Sequence, residues 1–197
     1  MHRIESLVSR EAFFQLNEYI ELLLKWNNTL NLISSKTSND IVQRHILDSL
    51  QLIQYIKDKK KSIIDLGSGA GFPAIVLSII GIEKVTLVES DSRKSAFLLQ
   101  AAQISSNRIE ILNERIENIK DLQCDILTSR AFSDLDAIFR YSRNITVKEK
   151  YLLHKGQNYQ EEISKARKHW LFNIKLHDSI TSSQGKILEI TDLAPII

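Results

Sequence analysis

The stretch Ile63-Ile64-Asp65-Leu66-Gly67-Ser68-Gly69-Ala70-Gly71-Phe72-Pro73-Ala74 holds the residues of this chain best suited to gripping a small ligand. An apolar run enters three glycines at alternate positions, and a helix-length segment leaves them. Glycines tolerate the tight turn and let a ligand lie against bare main chain. Pro73 suits the first turn of the following helix. In an open α/β sheet such a turn faces the crevice beyond the strand ends. Two cofactors compete for it. A dinucleotide site needs the pattern G-x-G-x-x-G, whose last glycine lets helix and strand approach; that position is Phe72 here. S-adenosylmethionine (SAM) has no phosphate. It needs room for a methionine portion and a ribose, with a carboxylate near the ammonium. Asp65 precedes the first glycine, and Glu89 closes the next apolar run some twenty positions on, where an acid accepts hydrogen bonds from ribose hydroxyls. The spacing Gly67, Gly69, Gly71 with Asp65 and Glu89 therefore favours SAM.

Methyl transfer from a sulfonium is an in-line displacement, so a site of this kind chiefly supplies proximity and alignment. The acceptor decides what else is needed. Thr128-Ser129-Arg130-Ala131-Phe132 follows the fourth apolar run, where amine methylation often uses an Asn/Asp-Pro-Pro-aromatic motif. Methylation of a pyrimidine carbon needs a cysteine nucleophile at the open edge. Cys124, the one cysteine, sits at the opposite edge and reads as a small core residue. The N7 of guanine has an exposed lone pair and no proton to lose, so it is compatible with a site lacking a general base. Arg130, the expected catalytic residue, could donate to guanine O6 or to phosphate; the alternative is a structural ion pair.

The elements that would position these groups follow from periodicity. Apolar residues recur at helical spacing over 11–27, and Ser38 or Asn39 is expected to cap a second helix running to about Lys60. From Ser62 the pattern changes to strands at 62–66, 84–89, 108–112, 125–128, 151–154, 172–176 and 187–190. Helices are expected between them at 74–80, 92–104, 135–142 and 158–168. This alternation implies a mostly parallel sheet covered on both faces. The short polar link between the last two strands predicts a terminal antiparallel hairpin. Seven strands so arranged form the Rossmann-like plan of the class I SAM-dependent methyltransferase domain. It is expected over 62–197, as one compact unit, with an N-terminal helical extension over 1–61. The 26 basic and 24 acidic residues are too balanced to indicate nucleic acid alone. One cysteine excludes a disulfide scaffold and a four-cysteine zinc site, and the five histidines lack close metal spacing, so no metal is expected. No apolar run approaches the ~20 residues of a membrane span. The polar start lacks a signal-peptide core, which points to the cytoplasm.

Taken in order from Trp26 to about Ile163, the chain resembles the bacterial small-subunit rRNA guanine-N7 methyltransferases, the glucose-inhibited division protein B family. Its landmarks are Leu30-Asn31-Leu32-Ile33-Ser34, Arg44-His45-Ile46-Leu47-Asp48-Ser49-Leu50, the glycine loop, Val88-Glu89, Lys94, Phe97-Leu98, Arg115-Ile116-Glu117, Ser129-Arg130-Ala131-Phe132 and Lys155-Gly156. The stretches around His45 and Arg130 are the more specific, because many methyltransferases share the loop. The resemblance implies a SAM site including Gly67, Phe72, Ile116, Glu117 and Arg130, with Glu89 on the ribose and Glu117 near the adenine. It implies a substrate, one guanine in the decoding-region loop of 16S rRNA, and so the small ribosomal subunit or its assembly intermediate as partner. Ala74 departs from the family, which often has a second glycine after the proline.

Other candidates keep two interpretations. Arg44, His45 and Asp48 form either a polar face reaching substrate or a cluster fastening their helix, with Arg44 and Asp48 as an i,i+4 pair. Asn31 is a turn residue or a substrate contact. Lys155 contacts RNA phosphate or is a solvated turn lysine. Lys57, Lys59, Lys60 and Lys61 complement a helix end or touch RNA. No long exposed apolar segment demands a partner copy, so a monomer is expected.

Overall fold

The computed structural model describes residues 2–34 and 40–196. A short helix, α1 (His2–Glu5), precedes α2 (Arg10–Leu30). Ser9 caps α2 by accepting from Ala12 N at 3.1 Å, and Asn31 ends it in the left-handed conformation at φ 47°. Asn31 is therefore the helix-ending turn residue. The proposed caps Ser38 and Asn39 lie outside the described residues. A third helical stretch, α3 (42–55), widens at Val42–Leu47 and tightens at Gln51–Tyr55. It stops short of Lys60 because Ile56 turns extended and buries its side chain. The lysine run thus lies beyond the helix. Lys59 Nζ donates to Ile80 O at 2.7 Å, and Lys61 pairs with Glu149, so these two lysines fasten the chain locally.

The strands are β1 (Ser62–Leu66), β2 (Lys84–Val88), β3 (Arg108–Leu112), β4 (Leu122–Arg130), β5 (Ile145–Lys155), β6 (Trp170–Asp178) and β7 (Lys186–Pro195). They form one sheet in the order β3-β2-β1-β4-β5-β7-β6. β3, β2, β1, β4 and β5 are parallel, and β7 returns antiparallel between β5 and β6. The last four strands exceed their apolar cores because ladder pairing carries polar residues such as Gln123 and Thr146 along. The remaining helices are α4 (Ala74–Ile79), α5 (Ser92–Ala102), α6 (Leu135–Tyr141) and α7 (Tyr159–Ala166).

Alternation along each strand divides the interior in two. Ile63, Val85, Ile126 and Leu152 face a core shared with α2 to α5, whereas Ile64, Leu127 and Leu153 face α6 and α7. The N-terminal helices thus bury Leu16, Tyr19 and Leu23 in the same core as the sheet. Tyr19 is fully buried, sits edge-on to Phe72 with ring centroids 5.4 Å apart, and donates its hydroxyl to Ala70 O inside the glycine loop. The loop is therefore held partly by a helix some fifty residues upstream. Tyr19→Phe should lower unfolding free energy by about 1–2 kcal/mol, since Ala70 O loses a buried donor. Urea denaturation monitored by circular dichroism checks this, and an unchanged midpoint would remove Tyr19 from the loop's support.

Candidate functional site

The strand order reverses at β1, which pairs with β2 on one side and β4 on the other. A crevice opens beyond the carboxyl ends of strands at such a point. The glycine loop leaves β1 here, Glu89 follows β2 and Arg130 ends β4. All three loop glycines have positive φ: 66° at Gly67, 54° at Gly69 and 87° at Gly71. A Cβ on Gly67 would come 2.1 Å from the Phe132 ring, and one on Gly71 2.6 Å from Ile75, so both positions need glycine for close approach as well as conformation. A Cβ on Gly69 would meet only Gly67 O at 3.8 Å.

Glu89 is buried against this loop. Its Oε2 accepts from Gly69 N at 2.8 Å and its Oε1 from Asp91 N at 2.9 Å. Each oxygen keeps a further lone pair for a ligand hydroxyl. Asp91 then caps α5 by accepting from Arg93 N and Lys94 N. Beneath the loop, buried Asp65 accepts from Thr128 Oγ1 at 2.7 Å through Oδ1, while its Oδ2 has no partner among the described residues. Burial pushes the Asp65 carboxyl up to about 7. Folding therefore takes up a proton between about pH 4 and 7, and Asp65's contribution to stability is lost as pH rises through that range.

Arg130 reaches away from β4 into α3. Its Nη1 donates to Asp48 Oδ2 at 2.9 Å and to Arg44 O at 3.1 Å, and its Nη2 meets His45 Nδ1. The guanidinium lies 5.0 Å over the Phe72 ring, and His45 stacks on the same ring at 4.9 Å. Burial and the neighbouring Arg130 charge depress the His45 pKa to about 4, so the ring is neutral at pH 7. Asp48 pairs with Arg130 instead of Arg44, because α3 turns that carboxylate toward the sheet. Its backbone oxygen also binds His154 Nε2 at 2.8 Å. The cluster on α3 therefore fastens the helix to the strand ends. Lys155 is buried, with Nζ on Glu162 Oε2 at 2.7 Å and on Ser133 O at 2.6 Å. It is not a solvated turn lysine but a tie between β5, α6 and α7. Cys124 is buried with its thiol pushed up to about 12, principally by desolvation.

A cavity of about 630 Å³ lies on the loop, in the range of small-ligand pockets, about 300–1,000 Å³. Of the expected cofactor residues, Gly67, Gly69, Phe72, Glu89, Ile116, Glu117 and Arg130 line it, joined by His45. Gly71 and Asp65 support it from behind the lining. Arg44 and Lys155 instead line an adjoining cavity of about 370 Å³, which shares His45, Arg130 and Ala131 with the first. Sequence reasoning missed Leu32–Ser34, Lys94, Phe132 and Tyr141 as lining residues. Leu32–Ser34 follow the left-handed Asn31, and that turn was the available signal. The bare loop and the free lone pairs of Glu89 fit the uncharged ribose of SAM. Among the described residues no group of three or more His, Cys, Asp or Glu side chains could hold a metal ion.

Solved structures with this fold include magnesium protoporphyrin IX methyltransferase from Synechocystis PCC 6803 with bound SAM. It has a TM-score of 0.59 at 12% identity and matches over 87% of this chain and 95% of that one. A SAM-dependent methyltransferase from Aquifex aeolicus matches with a TM-score of 0.58 at 12% identity, over 76% and 92%. The sheet is thus the class I methyltransferase fold. Among sequence relatives, ribosomal RNA small subunit methyltransferase G of Rickettsia prowazekii (strain Madrid E) is 53% identical over 96% of this chain and 99% of its own. The protein of that name from Orientia tsutsugamushi (strain Boryong) is 54% identical over 93% and 92%. The family model described as rRNA small subunit methyltransferase G matches residues 13–191, and with relatives this similar over almost the whole length, the chain belongs to that family.

Proposed function

We propose that this protein transfers the methyl group of SAM to N7 of a guanine in 16S rRNA of the small ribosomal subunit. We place it in the cytoplasm, acting as a monomer. Among the described residues no helix is long and apolar enough to cross a membrane. The observation that carries the proposal is the gathering of Gly67, Gly69, Phe72, Glu89, Ile116, Glu117 and Arg130 on one cavity, in a chain belonging to this family. The glycine loop would hold the methionine portion, Glu89 the ribose hydroxyls, and Ile116 with Glu117 the adenine side. SAM supplies a methyl group on a sulfonium. Because guanine N7 needs no proton removed, the residues around it have only to align donor and acceptor and exclude water. Arg130 lies over the Phe72 ring and His45 stacks on it, so the three side chains brace one another at the wall of this cavity.

Incubation with methyl-labelled SAM and small subunits lacking the modification should place label on N7 of one guanine of 16S rRNA. Label on another atom, or none, would refute the proposal. Gly69→Val should weaken SAM binding at least roughly tenfold by calorimetry, because a branched side chain at positive φ is strained and projects into the cavity. Retained affinity would displace SAM from the loop. Arg130 and Asp48 are only 15% and 16% exposed, so Arg130→Met or Asp48→Leu alone should cost about 3–5 kcal/mol by stranding its partner. The double variant should cost much less than their sum yet remain inactive. Strict additivity in denaturant melts would show that the pair does not anchor α3.

A further inference from the structure

Among the described residues, Phe132 is the one large apolar side chain that both lines the cofactor cavity and is exposed, at 36%. Its position is set by the backbone. Ala131 adopts the left-handed conformation at φ 52°, uncommon for a residue with a side chain. The chain therefore turns sharply between Arg130, whose guanidinium is held by α3, and Phe132, whose ring packs on Gly67. Sparsely populated backbone of this kind collects at functional sites. Tyr141, the last residue of α6, lies beside the Phe132 ring with centroids 5.8 Å apart and lines the same cavity.

The sheet order says which end of the cofactor this ring would meet. Glu89 follows β2, and Ile116 with Glu117 follow β3, so the ribose and adenine assigned to them would fill that half of the cavity. Gly67 and Phe132 follow β1 and β4 on the other half, which is left for the sulfonium and its methyl group. Attack there moves charge. The N7 lone pair forms the new N–C bond, the C–S bond breaks with its electron pair left on sulfur, and the positive charge passes from sulfur to the purine. The negative face of an aromatic ring stacks on a neutral base and attracts the cation that the base becomes. The neighbouring Arg130 charge would oppose this, and Asp48 pairs with it at 2.9 Å.

We infer that Phe132 is the platform on which the acceptor guanine stacks, braced by Tyr141, and that its ring face stabilises the positive charge the base acquires. The inference rests on the proposed methylation of N7, since an exocyclic amine loses a proton and would leave the product base neutral.

Ring fluorination tests this, because fluorine withdraws negative charge from the ring face with little change in its shape. Replacing Phe132 with mono-, di- and trifluorinated phenylalanine should slow single-turnover methyl transfer to unmodified small subunits stepwise, about tenfold in all. SAM affinity by calorimetry and the melting temperature should stay at their wild-type values. Phe132→Leu, which keeps an apolar cover on Gly67 but no ring face, should lose at least as much rate at unchanged SAM affinity, and Phe132→Tyr should restore most of it. A rate indifferent to fluorination would overturn the inference. So would a loss of SAM affinity in Phe132→Leu large enough to account for the lost rate, which would make the ring a cover for the cofactor. The mapped label separates this inference from the one beneath it. Label on N7 with a flat fluorine series would sink the role of Phe132 alone, whereas label on another atom would sink the N7 assignment and this role with it.

Discussion

A guanidinium with 15% of its side chain open to solvent has to be compensated inside the protein, and for Arg130 the compensation comes from Asp48, which is 16% exposed. Removing such a charge from water costs several kcal/mol, recovered only when its hydrogen-bond positions are filled well. Arg44 O, His45 Nδ1 and Asp48 Oδ2 accept three such bonds, and all three belong to α3. Asp48 in turn accepts from Gln51 Nε2 at 2.8 Å, and Gln51 Oε1 accepts from Ile180 N at 2.9 Å in the turn between β6 and β7. One buried charge therefore sets the position of a helix, a hairpin turn and the end of β4. With Phe72 beneath the guanidinium, it sets the glycine loop as well.

This explains which parts of the architecture were legible in the residues alone. The strands could be read because each carries a short apolar, β-branched run, buried almost throughout in β1, and the loop because Gly67, Gly69 and Gly71 occupy backbone regions closed to most residues. Glu89 could be read because a parallel neighbour of β1 must end beside that loop. Arg130 was also legible as important, yet its partner was not. Asp48 lies more than eighty residues upstream, and nothing local to either residue records that α3 docks against the end of β4. Lys155 fails in the same way. Its Glu162 partner sits on α7, and a lysine before a glycine looks like a solvated turn until that helix packs down. Phe132 closing over Gly67 likewise depends on β4 lying next to β1, a fact of topology and not of spacing.

The same dependence bears on how catalysis would divide between groups. A displacement at guanine N7 asks for no base, and both His45 and His154 are held neutral, chiefly by desolvation, with the adjacent Arg130 charge acting further on His45. Their value lies in fixed polarity. A neutral imidazole whose one nitrogen is already bonded can offer only one kind of contact with the other. Arg130 imposes that polarity on His45, and the backbone carbonyl of Asp48 imposes it on His154. The arginine whose ion pair holds α3 in place thus also fixes the His45 tautomer. A substitution at Arg130 alone cannot separate them, because it frees Asp48 and the His45 tautomer together.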